Sequence, residues 1–435
     1  MKKYIILIFA ILLGLSWYTA ISDAINWPKY TKEHMQKAAE LEKKGIYVDA
    51  VTEYEQALAY DPDNVDIRVK MAQAYLDSGN SSKFTAVCEK TAEAYQDRTE
   101  ALDLLMEYYI ENDYEHKAVK YLDDFMEDHP ENQNAKEWYS KLKGSYTELY
   151  CSYEEMSGIE NNSMAVKRDE LYGIADARGQ QVIENEYKEI HPFSEDGFAL
   201  AQKEDGTYIY IDEDGQTRKV PDPDYTKLGM ISSKRVAACK NGKYGYLDEN
   251  MEPVGKFNWD ALTGLKGTTG AGKKDKKWVL VNKKGEPKGE QKYEDVVVDE
   301  NGFCANQKRI FVKGEKGYYL INSKEKRIGR LTFDDAKAFT EEGYAAVCRD
   351  GKWGFVDKEG ELAIDYTYED ARSFRNGLAA VYVDGRWGYI DTDGKLIIKP
   401  RFIEATHVSE SGTAAVKIEE DGEEEWRLIQ LNIFS

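Results

Sequence analysis

The sequence predicts a multidomain protein in which an α-helical array is followed by an all-β domain. Residues 30–156 are rich in Ala, Glu, Lys, Leu and Tyr, and their prolines fall at apparent element boundaries, which is typical of successive helices. Residues 162–435 instead alternate short β-branched and aromatic runs with Gly, Asp and Asn, which predicts short strands joined by tight turns. With 435 residues, of which 42% are hydrophobic, the chain is long enough for more than one core.

Residues 1–25 form a separate N-terminal segment. Lys2 and Lys3 precede an uncharged run over residues 4–21, which is long enough to span a bilayer. Because the lysines lie before the run, they orient the following domains away from the cytoplasm. We therefore expect a single N-terminal anchor in the cell membrane with extracytoplasmic domains. The alternatives are a signal peptide cleaved near residues 22–24, which would give a secreted protein, and a buried helix of the first domain.

Charge balance and residue spacing exclude several classes of function. The chain has 80 acidic residues and 59 basic residues, and its net charge of -21 repels nucleic-acid phosphates, so we expect no nucleic-acid partner. Its five cysteines and five histidines show none of the spacings typical of metal ligands or of a disulfide framework. The sequence therefore predicts no metal site, no cofactor and no catalytic constellation.

The helical region repeats a set of small, aromatic and proline positions after 68 residues, which is twice 34. The two sets are Ala50, Tyr54, Ala57 and Pro62, and Ala118, Leu122, Phe125 and Pro130, with Ala72, Tyr75 and Gly79 between them. Small residues let paired helices approach, larger residues fill the groove between units, and proline ends the second helix. The pattern resembles the tetratricopeptide repeat (TPR), as three units that start near Thr31, Val65 and Thr99.

The TPR resemblance implies a concave groove, lined by the first helix of each unit, that holds an extended peptide or a helix. The groove residues that it implies are Lys32, Met35, Asp66, Val69, Gln73, Glu100, Asp103 and Glu107. The acidic residues of the third unit favour a basic partner. An ordinary solvated helix face would have the same residues, and this alternative stays open. Residues 133–156 are expected to form a closing helix over the end of the stack.

The β region repeats a unit built around an aromatic residue and a glycine. Two units are nearly complete, with the cores Gly351-Lys352-Trp353-Gly354 and Gly385-Arg386-Trp387-Gly388. The aromatic residue of successive units is Tyr172, Tyr208, Tyr244, Trp278, Tyr318, Trp353, Trp387 and Trp426. The pattern resembles the bacterial tryptophan-glycine (WG) repeat family, as seven full units and a terminal fragment over residues 162–435.

Each β unit contains four candidate strands in about 35 residues, which is the size of a propeller blade. The detached strand at residues 426–429 could close a ring against the first unit. We therefore favour a closed β-propeller for the WG-repeat domain and keep an open β-solenoid as the alternative, because the two share the same local pattern.

A glycine-rich segment, residues 267–274, is similar to a phosphate-binding loop. Lys274 stands where that loop needs a hydroxyl residue, and the segment falls inside a β repeat rather than between a strand and a helix. We therefore expect no nucleotide site there.

These features predict a membrane-tethered, extracytoplasmic protein-interaction scaffold without catalytic activity. Repeat arrays build large continuous faces, so the expected partner is a protein or peptide, with a basic one favoured. A carbohydrate or cell-wall binding protein is an alternative, because aromatic rings stack on sugars, although most aromatic residues here recur at one core position. A propeller-type hydrolase is a further alternative that rests on fold analogy alone.

Overall fold

The computed structural model describes residues 26–220 and 224–434. The chain divides between Lys143 and Gly144 into two compact units, which are described separately below. The helical domain was expected to extend to residue 156, whereas this division falls after Lys143.

The described residues form seven helices. In chain order, α1 to α7 are 26–42, Tyr47–Tyr60, Val65–Asp77, Ser81–Ala94, Glu100–Glu111, Glu115–Asp128 and Gln133–Leu142. Three of them begin at asparagines, Asn64, Asn80 and Asn132, whose side chains accept a hydrogen bond from the backbone amide three residues later. The first six helices give the three predicted two-helix units, and α7 follows them.

The core of the helical unit follows the predicted pattern. Ala50, Tyr54, Ala118 and Leu122 are all buried, as expected for small residues at helix contacts and larger ones between units. In the middle unit Phe84 takes the place of an alanine, yet α4 is a regular helix of 14 residues. The Phe84 ring packs edge-on against Tyr108, with 4.8 Å between ring centroids, which accommodates the larger side chain.

The closing helix is shorter than predicted, because α7 ends at Leu142 and Tyr146–Leu149 is a strand. Between them, a Cβ on Gly144 would lie 1.9 Å from the carbonyl oxygen of Ile397. The backbone of residue 144 can lie this close to Ile397 only because residue 144 is glycine. The prediction of a helix over residues 133–156 was therefore wrong after residue 142.

The second unit contains thirty strands among the described residues. In chain order, β1 to β30 are Tyr146–Leu149, Glu155–Met156, Ser163–Arg168, Leu171–Asp176, Gln181–Tyr187, Glu189–Ile190, Phe198–Gln202, Tyr208–Asp212, Thr217–Lys219, Tyr225–Leu228, Val236–Lys240, Lys243–Leu247, Pro253–Trp259, Ala261–Leu262, Gly270–Lys274, Lys277–Val281, Asp295–Val296, Arg309–Gly314, Gly317–Asn322, Asp335–Ala336, Tyr344–Arg349, Lys352–Asp357, Leu362–Tyr368, Asp370–Ala371, Leu378–Val383, Arg386–Asp391, Leu396–Phe402, Glu404–Ala405, Thr413–Glu420 and Glu423–Leu431.

These strands form eight antiparallel sheets, which are the blades of an eight-bladed β-propeller. Blades I to VIII are β2–β5, β6–β9, β10–β13, β14–β16, β17–β19, β20–β23, β24–β27, and β28–β30 with β1. Blades IV and V have three regular strands, and isolated bridges such as Trp278 to Tyr293 stand in for the fourth. The open solenoid kept as an alternative is not the fold.

Strand β1 closes the ring. It pairs with the C-terminal strand β30, so that Tyr146 lies opposite Leu431 and Leu149 lies opposite Leu428. The sequence correctly marked residues 426–429 as a closing strand, but the partner precedes the first repeat instead of belonging to it. The terminal fragment thereby becomes the eighth complete blade.

The tryptophan and the glycine of the repeat motif have separate structural roles. Trp353 and Trp387 are buried at equivalent sites, with the Lys337 ammonium 4.8 Å and the Arg372 guanidinium 5.3 Å from their ring centroids. A Cβ on Gly388 would lie 2.5 Å from the carbonyl oxygen of Ile398, where the outer strand bulges toward it. The motif thus combines a core side chain with a site that only glycine fits.

The described residues contain no helix that is both long enough and apolar enough to cross a membrane. The anchor expected over residues 1–25 lies outside the described part of the chain. The prediction of a membrane-anchored protein with extracytoplasmic domains is therefore corrected, because no described helix supports it.

Candidate functional site

Each blade ends its innermost segment with a buried residue followed by a residue that faces the middle of the ring. The buried residues are Ile159, Phe193, Ile231, Leu265, Ala305, Phe339, Phe374 and Val408. The residues that follow them are Glu160, Ser194, Ser232, Lys266, Asn306, Thr340, Arg375 and Ser409. Successive side chains of an extended backbone point to opposite sides. The first residue must therefore be apolar because it packs in the core, whereas the core does not restrict the residue type of the second.

All eight of these second residues line one cavity of about 950 Å³. Because every blade contributes one of them, the cavity lies at the centre of the ring. Its volume is in the range of ligand-binding sites, and most of the residues that line it are polar or charged.

An insertion in blade V crosses this cavity. The Asp299 carboxylate accepts hydrogen bonds from the amides of Asn301 and Phe303, at 3.0 and 2.9 Å, and so forms a tight turn. Phe303 is buried against Met230 of blade III, and the Gly302 carbonyl oxygen accepts a hydrogen bond of 2.8 Å from the amide of Gly264. The insertion accounts for the 40-residue interval between Trp278 and Tyr318 in the sequence.

The turn of the insertion carries Glu300 to the far side of the cavity. Its carboxylate lies 3.2 Å from a guanidinium nitrogen of Arg372 in blade VII. Burial raises the pKa of the neighbouring Asp299 carboxyl above its ordinary value, although the turn amides oppose that shift. The insertion thus brings a carboxylate of blade V into contact with Arg372 of blade VII inside the cavity.

Three blades meet at an ion-paired cluster on the cavity wall. The Arg375 guanidinium contacts Glu160, and one of its nitrogens lies 2.9 Å from Nε2 of His407. The same Nε2 is 2.7 Å from the carbonyl oxygen of Ile159. Burial, together with the positive charge of Arg375, lowers the pKa of His407 from 6.5 to about 4. His407 is therefore neutral at pH 7, with Nε2 donating to the Ile159 carbonyl oxygen, while Glu160 is the partner that pairs with the arginine.

Lys266 forms a second charged centre on the opposite wall, in blade IV. Its ammonium lies 2.8 Å from the Glu195 carboxylate and 3.5 Å from that of Glu341. Burial alone would lower the pKa of Lys266, but the carboxylates outweigh it and the pKa is raised. The lysine is one-quarter exposed, so it remains accessible from the cavity between the two glutamates.

One group of possible metal ligands occurs among the described residues: Glu160, Glu300 and His407, whose ligand atoms lie within 4.8 Å of one another. The Arg375 guanidinium already contacts Glu160 and His407. A divalent cation would have to displace that positive charge, so the arrangement fits an ion-pair network better than a metal site.

Four of the five cysteines have thiols whose ionisation is disfavoured by burial. Burial raises the pKa of both Cys88 and Cys304 to about 12, and it raises the pKa of Cys151 and Cys348 as well. A thiolate is the reactive form, so these side chains behave as small core residues.

The groove residues implied by the TPR resemblance all lie on α1, α3 and α5, the first helices of the three units. Lys32, Asp66, Glu100 and Glu107 are exposed, and Met35, Val69, Gln73 and Asp103 are half-buried. The structure therefore places them on corresponding helices, although some of their side chains are exposed and others are half-buried.

Several of these groove residues are already paired within the helical unit. Arg98 lies 2.7 Å from the carboxylates of both Asp66 and Glu100. Asp103 accepts hydrogen bonds from the Trp138 indole at 2.7 Å and from the Asn134 amide at 3.0 Å, which attaches α7 to α5. Asp103 thus has a structural role, whereas Glu107 is exposed and its carboxylate has no ion pair among the described residues.

Sequence reasoning missed the cavity residues. The available signal was the aligned position directly after the buried residue that ends each inner segment, where polar side chains occur in all eight repeats. A single repeat gives no sign of it, because Lys266 meets its two glutamates from blades II and VI only when the ring is closed.

The geometry defines an eight-bladed propeller with a helical-repeat array before it, and comparison with known families agrees. Residues 172–208, 320–353, 353–387 and 387–420 match the WG containing repeat, and residues 43–107 match the tetratricopeptide repeat. The chain therefore carries TPR-like helices followed by WG repeats, which confirms both resemblances and their order. No curated protein sequence matches the chain significantly.

Several solved structures are similar at low identity. One is PorZ, a surface component of the type-IX secretion system of Porphyromonas gingivalis, with 10% identity, a TM-score of 0.38 and coverage of 63% of this chain and 43% of that chain. A eukaryotic initiation factor has 10% identity, a TM-score of 0.40 and coverage of 66% and 88%. Hsv2 of Kluyveromyces lactis has 8% identity, a TM-score of 0.34 and coverage of 63% and 97%. The chain spans less than half of PorZ, and these similarities carry no argument about function.

Proposed function

We propose that this protein is a non-catalytic interaction scaffold that binds protein or peptide partners through the central cavity of its propeller. The observation that carries the proposal is the contrast between two adjacent positions in each blade. The first is always buried and apolar, as the core requires, whereas the second varies among Glu, Ser, Lys, Asn, Thr and Arg. Variable polar side chains on a fixed backbone are what a recognition surface needs.

The cavity chemistry favours a partner that carries positive charge. Arg372, Arg375 and Lys266 each lie within 4 Å of a cavity carboxylate, so their charges are already compensated. The carboxylates that pair with Lys266 and Arg372 are themselves more than half exposed: Glu195, Glu341 and Glu300. An amine or guanidinium of a partner would meet carboxylates first.

The first helices of the TPR-like array offer a second contact surface in this proposal. Their accessible residues are Lys32 on α1 and Glu107 on α5, since Asp66 and Glu100 share Arg98. At the third unit, the unpaired Glu107 carboxylate would favour a basic extended segment as the partner.

The experiment is affinity capture from an extract of the source cells with the full chain and four variants. Lys266→Ser alters the cavity, and Lys395→Ser changes an exposed lysine on a hairpin turn of blade VII. Glu107→Lys alters the first-helix face, and Asp124→Lys makes the same charge change on the exposed side of α6.

A partner that is lost with Lys266→Ser or Glu107→Lys, and kept with the matched control of each, supports the proposal and identifies the surface used. Equal recovery of every partner by all four variants contradicts it, as does detection of substrate turnover by the purified chain.

A further inference from the structure

Blade IV has a charge opposite to that of the chain as a whole. Between residues 261 and 292 there are nine lysines and three acidic residues, in a protein with a net charge of -21. Most of these lysines are exposed. The excess positive charge creates a local potential that attracts anions against the field of the rest of the molecule.

Part of this charge surrounds a surface pocket of about 390 Å³, lined by Thr268, Asn282, Lys283, Lys284, Glu286 and Lys288. The pocket lies between two turns of blade IV. One is the turn after Lys266, which belongs to the glycine-rich segment noted in the sequence, and the other is the turn after β16. The segment does not form a phosphate-binding loop, because residues 270–274 are a strand.

The second turn is built so that its lysines point outward. The Asn282 side-chain oxygen accepts hydrogen bonds from the amides of Lys284 and Glu286, at 2.8 and 3.2 Å, which fixes the turn. The Asn282 amide group donates to the Glu286 carboxylate at 3.1 Å. Arg235 of blade III donates to the Lys283 carbonyl oxygen at 2.9 Å and adds another positive charge nearby.

The three lysines of the pocket form no ion pair within 4 Å among the described residues, although the Glu286 carboxylate also lines the pocket. Neither Lys283 nor Lys284 lies within 4 Å of a carboxylate among the described residues. The Lys288 ammonium donates to the Thr269 hydroxyl at 2.7 Å rather than to an acid. Partial burial lowers the pKa of Lys288, and the Glu325 carboxylate only partly opposes this shift. An anion in the pocket would supply the missing counter-charge.

We propose that this pocket binds an oxyanion, the phosphate or sulfate group of a multiply charged ligand. Three flexible ammonium groups around a hydroxyl suit a compact tetrahedral anion, which lysine binds as a point charge. The site lies outside the central cavity, so it is independent of the proposed scaffold function.

The test is titration calorimetry of the full chain with tripolyphosphate at low ionic strength, repeated with inorganic phosphate and with a tetraglutamate peptide. The variant Lys283→Gln/Lys284→Gln removes two ammonium groups from the pocket. The matched control is Lys324→Gln/Lys326→Gln in the corresponding turn of blade V, where Asn322 accepts from the amides of both lysines, at 2.9 and 3.1 Å.

We expect one tripolyphosphate per chain, bound less tightly as salt increases, and about tenfold weaker binding in the pocket variant from the lost charge-assisted hydrogen bonds. The control should bind like the unmodified chain. Absence of binding, equal weakening by the control variant, or tetraglutamate binding as tight as tripolyphosphate would each overturn the proposal. Circular dichroism confirms that the variants are folded.

Discussion

At the scale of single residues, the tryptophan of the repeat motif contributes packing, and the glycine beside it allows the close approach of a neighbouring strand. Trp387 is 7% exposed and packs against Tyr382, with 5.3 Å between ring centroids. Gly388, next to it, has no room for a side chain because the bulged outer strand occupies the space. The two residues therefore stabilise the blade for different reasons.

Truncation of Trp387 measures the packing contribution. We expect Trp387→Ala to lower the free energy of unfolding by about 3 to 5 kcal/mol, which is typical of a large aromatic removed from a core. Trp27→Ala, at a site that is 43% exposed, should change it by less than about 0.5 kcal/mol. Urea unfolding checks both, and a cost below about 1 kcal/mol for Trp387→Ala would refute the repeat-core assignment.

His407 makes stability depend on pH. Its pKa in the folded protein is about 4, below the ordinary 6.5, so the unfolded chain binds the proton more readily. The stability from the neutral imidazole is complete above about pH 6.5 and is lost as the pH falls toward 4.

We expect His407→Gln to remove this contribution, which amounts to as much as about 1.4 kcal/mol per pH unit within that window. Unfolding free energies of both proteins, measured from pH 4 to 7, provide the check. Parallel curves for the two proteins would show that His407 titrates normally.

At the scale of elements, ring closure depends on a four-residue strand from the other end of the propeller sequence. Strand β1 covers the edge of β30 with residues 146–149. Without it the last blade would expose unpaired backbone groups, which promote aggregation. Pairing of the two chain ends also replaces an open edge by a closed ring.

A disulfide tests this closure. Thr147 lies directly opposite Gln430, and the Cα atoms of opposite residues in an antiparallel pair are about 4.5 to 5.5 Å apart, which is within the range that a disulfide spans. Thr147→Cys/Gln430→Cys should form an intramolecular disulfide under mild oxidation, detected by peptide mass spectrometry. Thr147→Cys/Lys256→Cys, which places the second thiol on blade III, should not. Equal cross-linking of the two pairs would contradict the assigned register.

The same strand shows where sequence reasoning stops. The aromatic and glycine positions predicted the repeats because each has a local steric cause, and Trp353 and Trp387 are buried as expected. Residues 146–149 have no repeat signature, and their partner is at the far end of the chain, so they were assigned to a helix. The prediction extended the last helix past Leu142. In the structure, residues 146–149 form a strand instead, because they pair with β30.

At the scale of the whole molecule, the cavity exists only in the closed ring. Glu160, Arg375 and His407 come from blades I, VII and VIII, and no spacing in the sequence relates them. The first helices of the TPR-like units were predictable from periodicity, but the structural role of Asp103 depends on α7. Local patterns thus predicted the two arrays, while the candidate site required tertiary structure.

The most direct test of the scaffold proposal is hydrogen exchange of the full chain with and without a partner recovered by capture. If the cavity is the binding surface, partner binding should slow amide exchange in the turns that carry the second residues of the blades, such as 159–163, 264–269 and 373–377. The outer strands should exchange as before. Unchanged exchange in these turns, with protection confined to the outer strands, would contradict the account.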